Sequence, residues 1–95
     1  MRCEYICTIR SEKESIDLSY FSSIPFIPTK DMTIFISSDD YYYAYCFWHD
    51  ATQLLKIYIS TDDDIDENDY VSIQADATFA HNTEYMLKKG WKLTD

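Results

Sequence analysis

The stretch DDYYYAYCFWHD, residues 39–50, decides how this chain folds. Six aromatic rings fall within the eight residues from Tyr41 to Trp48, with no glycine or proline among them. Aromatic runs of that density suit a pleated, half-buried strand far better than a helix. Period two then splits the run between two faces. Tyr42, Ala44, Cys46 and Trp48 fall on one side, and Tyr41, Tyr43, Tyr45 and Phe47 on the other.

The neighbours extend the pattern. Met32–Ser37 and Gln53–Ser60 also alternate, and short polar connections around SSDD and HDAT join all three segments. Connections of that length favour antiparallel hairpins, so residues 32–60 read as a three-stranded meander. Its predicted core face carries Met32, Ile34, Ile36, Tyr42, Ala44, Cys46, Trp48, Leu55, Ile57 and Ile59. Its predicted outward face carries Thr33, Phe35, Tyr41, Tyr43, Tyr45, Phe47, Leu54, Lys56 and Tyr58. With a single glycine in the chain, left-handed turn positions are expected at Asp or Asn.

Before the meander, Cys3–Ile9 alternates, and Ile16, Leu18 and Tyr20 suggest a second strand beyond the polar turn RSEKES. Two prolines make FSSIPFIPTKD irregular. After the meander, TDDDIDEND is an acidic loop, and Tyr70–Ala75 holds a short alternating segment. Residues 76–89 then read as a helix: Asp76 as N-cap, Phe79, Ala80, Thr83, Met86 and Leu87 at helical spacing, Lys88 and Lys89 at the negative end. Gly90 fits the position just past the helix, with Trp91 packing back and WKLTD as a closing strand. The predicted class is α+β: one domain over residues 1–95, with an antiparallel sheet of four to six strands and one C-terminal helix on one face.

Charge is the other strong signal. Seventeen acids against eight bases give a net charge of −9, and between Asp31 and Leu87 the chain has twelve acids and one base, Lys56. Such a field repels nucleic acid and anionic membranes and attracts basic proteins. No apolar run reaches the ~18–20 residues that span a bilayer, and the N-terminal residues lack a signal-peptide core, so a cytoplasmic protein is expected. An odd count of three cysteines is a poor disulfide framework.

Chemistry-bearing motifs are weak. Asp62, Asp64, Asp66 and Asn68 imitate a calcium loop, but the required glycine is Glu67 and the closing glutamate is Ile73. Cys3, Cys7, Cys46 and His49 have the count of a zinc site, yet Cys3 and Cys7 on one strand stand about 13 Å apart. His81 has no evident partner. Phosphate loops, nucleophile elbows and HExxH pairs are absent from the sequence, so no enzyme activity, cofactor or metal is expected.

A binding surface is the expectation instead. Hairpin directions bring Asp39 and Asp40 to the same end of the sheet as Asp62, Asp63, Asp64, Asp66, Glu67 and Asp69. Asp31 and Asp50 mark the other end, with Tyr41, Tyr43, Tyr45 and Tyr58 between. Tyrosine gives large contact area at low entropic cost. In size, charge and aromatic content the chain resembles bacteriophage-encoded DNA mimics such as anti-restriction and anti-CRISPR proteins. That resemblance implies a nucleic-acid-binding target, a restriction nuclease or CRISPR effector, blocked without catalysis. The same physics fits an immunity protein or antitoxin against a basic nuclease, and the tyrosine face fits a homodimer.

Overall fold

In the computed structural model, which describes residues 1–63, 65 and 67–94, alternation turns directly into strands. The elements are β1 (Arg2–Arg10), β2 (Ser15–Ser23), β3 (Thr33–Ile36), β4 (Asp39–His49), β5 (Leu54–Ser60), β6 (Ser72–Ile73), α1 (Asp76–Lys88) and β7 (Lys92–Thr94). The sheet runs β3-β4-β5-β1-β2-β7, with β6 pairing the end of β1. The class is α+β with one C-terminal helix, but the sheet has seven strands rather than four to six. It is also mixed rather than antiparallel, because β5 runs parallel to β1, pairing Cys3 with Leu55 and Cys7 with Ile59. Parity explains the difference. The β1–β2 hairpin returns the chain to its starting end, where the Ile24 amide donates to the Met1 carbonyl at 2.8 Å. The segment after it therefore enters β3 from the same end as β1. Three meander strands later, β5 reaches β1 pointing the same way.

The hairpin ends follow local chemistry. Ser11 closes the β1–β2 turn, its amide donating to the Glu14 carbonyl at 2.8 Å and its hydroxyl accepting from the Lys13 and Glu14 amides at 3.2 and 3.3 Å. Ser37 and Ser38 both take left-handed backbone angles, φ 49° and 73°, the two-residue turn whose twist matches the flanking strands. Among the described residues, left-handed non-glycine positions thus fall on the two serines, on Gln53 (φ 56°) and on Asp31 (φ 67°), so one of these four is the expected Asp or Asn. Tertiary contact explains the tolerance at Ser37, whose hydroxyl donates to the Lys89 carbonyl at 3.0 Å. The turn is shorter than SSDD implied, and Asp39 and Asp40 belong to β4.

The sheet is strongly curled. Tyr20 on β2 and Ser37 beside β3 stand four strand positions apart, roughly 19 Å in a flat sheet at ~4.8 Å per strand. Their hydroxyls are 3.3 Å apart. Inside the curl, Cys3, Cys7, Ile9, Leu18, Ile57 and Ile59 are fully buried. Each such isoleucine or leucine contributes about 1.5–3 kcal/mol. Helix α1 lays Phe79 and Met86 onto this core, and the Trp91 ring sits 5.5 Å from Tyr20 and 5.3 Å from Tyr41.

The helix ends as its sequence predicts and begins slightly differently. The Trp91 amide donates to the Met86 carbonyl at 3.1 Å and the Gly90 amide to Leu87 at 3.4 Å, a Schellman close with Gly90 at φ 105°. A Cβ on Gly90 would meet the Tyr20 ring at 3.2 Å, so the position is restricted by contact as well as by angle. At the other end Ala75, not Asp76, is the cap residue, and no side chain caps the helix. Asp76 lies in the first turn and pairs with Lys13 at 3.5 Å. Among the described residues, no helix is long and apolar enough to cross a membrane.

Candidate binding face

One residue rearranges the expected site. The register of β4 against β5 pairs Tyr43 with Ile59, then skips Ala44 and pairs Tyr45 with Tyr58. Ala44 is a β-bulge, and a single extra residue exchanges the faces on either side of it. Beyond the bulge Cys46 faces the core side and Tyr45 and Phe47 face out as predicted, but at the strand's end Trp48, predicted as core, is 48% exposed, and Leu54, predicted outward, is buried. Before it, everything is inverted. Tyr41, predicted as a contact residue, is 3% exposed and packs in the core. Tyr43, also predicted outward, packs against the core, and its hydroxyl donates to Cys46 Sγ at 3.3 Å. Tyr42, predicted as core, faces outward beside Thr33, its partner across β3.

The outer face that remains is a ladder of rings. Tyr45 and Tyr58 stack with centroids 4.5 Å apart and planes 4° from parallel. Phe47 joins them at 6.0 Å from Tyr58, and His49 follows at 6.4 Å from Phe47. Tyr70, which the sequence offered only as the start of a short strand, closes the cluster edge-on at 5.3 Å from Tyr45 and 5.4 Å from Tyr58. Its hydroxyl lies 3.4 Å from that of Tyr45. Nothing in the residue pattern placed Tyr70 there; the alanine inside an aromatic run was the one visible hint of the bulge.

A charged pair interrupts the aromatics. Lys56 Nζ meets Glu4 Oε1 at 3.2 Å, and Ser19 donates to Glu4 Oε2 at 2.7 Å. Register places this pair between Phe47 on β4 and Phe21 on β2. The meander's one base is thus neutralised within the fold.

The acids divide. Asp39 and Asp40 border a groove of about 210 Å³ together with Thr61 and Tyr85, so the acidic loop does leave the sheet at their end. Asp39 is engaged internally, accepting from the Tyr85 hydroxyl at 2.9 and 3.0 Å. Asp40 is exposed on the outer side, opposite Phe35, which is 71% exposed. Asp62, Asp63, Glu67 and Asp69 are exposed on the loop, whereas Asp64 and Asp66 lie outside the described residues. The expected separation of two acidic ends fails for Asp31. The loop folds back so that Asp63 and Glu67 share a groove of about 590 Å³ with Asp31, Tyr42, Tyr43 and Tyr45.

Three phenols of β4 and β5 are held against ionisation. Desolvation raises the Tyr45 and Tyr58 phenols and pushes Tyr43 up to about 12, with Glu67 adding to the opposition at Tyr43. Burial, then the Asp62 and Asp17 carboxylates, push the Cys7 thiol up to about 12, far from a thiolate nucleophile at neutral pH. Among the described residues no three His, Cys, Asp or Glu side chains gather as a metal-ligand group. The face therefore offers ring surfaces, phenol hydrogen bonds and carboxylates. Comparison with protein-family models, curated proteins and solved structures finds no match to this chain.

Proposed function

We propose that this protein is a non-enzymatic binding protein that occludes a basic surface shaped for nucleic-acid phosphate, as in a restriction nuclease or CRISPR effector. One observation carries the reading: exposed acids and exposed rings share one side of the sheet, with Asp40 opposite Phe35 and Asp63 and Glu67 bordering the tyrosines of β4. Carboxylates supply attraction and fast association, and rings supply contact area once water is expelled. The net charge of −9 makes the same surface repel DNA and RNA. Composition, which resembles that of phage-encoded DNA mimics, supports the choice of target class.

The test is affinity capture from bacterial lysate with the tagged protein, at low salt and at ~0.5 M salt, where exposed charge pairs are screened. The expected result is retention of a nucleic-acid-binding enzyme at low salt, its release at high salt, and its displacement by added DNA. Retention only of non-basic proteins, indifferent to salt and DNA, would sink the reading.

A further inference from the structure

The groove between the acidic loop and β4 follows from the bulge. Every other residue from Tyr41 to Trp48 is an aromatic or Cys46, and at Ala44 a methyl group stands among large rings. The result is an open concavity of about 590 Å³, a volume in the range of side-chain and small-ligand clefts. Tyr42, Tyr43 and Tyr45 line it from β4, Asp63 and Glu67 from the loop, and Asp31 from the turn before β3. One cation, Lys30, also borders it. None of these carboxylates takes part in an ion pair among the described residues, where the pairs are Lys13–Asp76, Lys56–Glu4 and Lys88–Glu84.

We infer that this groove receives an arginine side chain presented by the occluded partner, its guanidinium laid on a tyrosine ring and bonded to Asp63 and Glu67. This rests on the occlusion reading above and names the chemistry that the site recognises. Among the described residues three carboxylates stand against one ammonium, a balance that disfavours a phosphate or carboxylate ligand. Nor, among the described residues, do these carboxylates gather as a group of three around one point, which a hard metal ion would need. A guanidinium matches rings and carboxylates at once, because it is planar, stacks on aromatic faces and forks onto carboxylates. A lysine ammonium is a compact, strongly hydrated point charge and uses the ring faces less well.

The test is a titration of ¹⁵N-labelled protein with blocked Gly-Arg-Gly, and separately with blocked Gly-Lys-Gly and Gly-citrulline-Gly. The arginine peptide should shift the amides of Thr33, Tyr42, Ala44 and Glu67, and bind roughly tenfold tighter than its uncharged citrulline analogue. The lysine peptide should fall between them. Because Asp63 and Glu67 are exposed, the double variant Asp63→Asn/Glu67→Gln should keep its fold and lose the focal shifts. Shifts spread instead over remote acids such as Glu12, Asp50 and Glu84, or a double variant that binds as well as the wild type, would overturn the inference. Lysate capture with the same variant separates the two proposals. If a partner is retained by both forms while the peptide ignores the groove, the groove assignment fails and occlusion stands. If the peptide seats in the groove and the wild type captures no nucleic-acid-binding enzyme, occlusion fails and the groove assignment stands.

Discussion

Tyr45 and Tyr58 face each other across β4 and β5 as a parallel stack, ring centroids 4.5 Å apart. They meet only because Ala44 is skipped in the register, which moves Tyr45 from the parity of Tyr41 and Tyr43 onto the outer face. The bulge therefore does two things at once. It sends Tyr41 inward to Trp91, and it leaves a methyl-sized gap among rings on the side where the acidic loop folds.

Tyr70 is the contact that ties the loop's far end to this stack. Tyr70→Ala removes two edge-on ring contacts and a hydroxyl pair at 3.4 Å. The expected cost is about 1 kcal/mol by urea denaturation, with faster amide exchange at Val71 and Ile73. Tyr70→Phe keeps the rings and should lose less than half of that. An alanine variant as stable as the wild type would mean that β6 alone anchors the loop.

Stability should fall steeply in alkali. The Tyr45 and Tyr58 phenols, the Tyr43 phenol at about 12 and the Cys7 thiol at about 12 are all raised, chiefly by desolvation. A raised acid keeps its proton longer in the folded state than in the unfolded one. Its contribution is complete below the unfolded values, about 8.5 for Cys and about 10 for Tyr, and is lost as pH climbs through the folded ones. Denaturation midpoints measured between pH 8 and pH 12 should hold steady first and then drop, with the last share of tyrosinate absorbance, that of the raised rings, appearing together with unfolding. Ionisation of all nine tyrosines well before unfolding would show that the raised rings titrate freely.

Much of this fold is legible in the residues, and the failures have a common cause. Strand positions, the helix and its Gly90 close follow from local periodicity and backbone preference, which each segment carries by itself. The parallel β5–β1 pairing does not, because it depends on the end from which the chain re-enters after the prolines. Strict alternation points Tyr41 and Tyr43 outward, because it has no way to announce a skipped residue. Tyr70 and Asp31 reach the site through the fold of loops, where no periodicity constrains them. Asp39, Asp40 and Thr61 do converge, since hairpin direction alone determines which end they share.

Deleting Ala44 tests the bulge. Without it, either Tyr41 and Tyr43 leave the core for water, or Tyr45 and Phe47 are driven into the core side while Cys46 turns outward; the first exposes buried rings and the second overpacks the interior. The deletion should cost several kcal/mol or abolish folding. Ala44→Ser preserves length and should stay within about 0.5 kcal/mol. Comparable denaturation curves for the deletion and the wild type would show that the register can slip without penalty.

The Glu4–Lys56 pair makes the sharpest energetic prediction. Its side chains are 8% and 22% exposed, and Phe21 and Phe47 flank it in the sheet register. Lys56→Met leaves the Glu4 carboxylate in that shielded site with Ser19 as its remaining donor. An unpaired buried charge costs far more than the pair itself contributes, so the expected loss is about 2–5 kcal/mol. Glu4→Gln combined with Lys56→Met removes the charge while keeping an acceptor for Ser19, and should recover most of it. A double-mutant cycle by urea denaturation measures the coupling directly. A neutral Lys56→Met would mean that water reaches Glu4 and that the outer face is wetter than its packing implies.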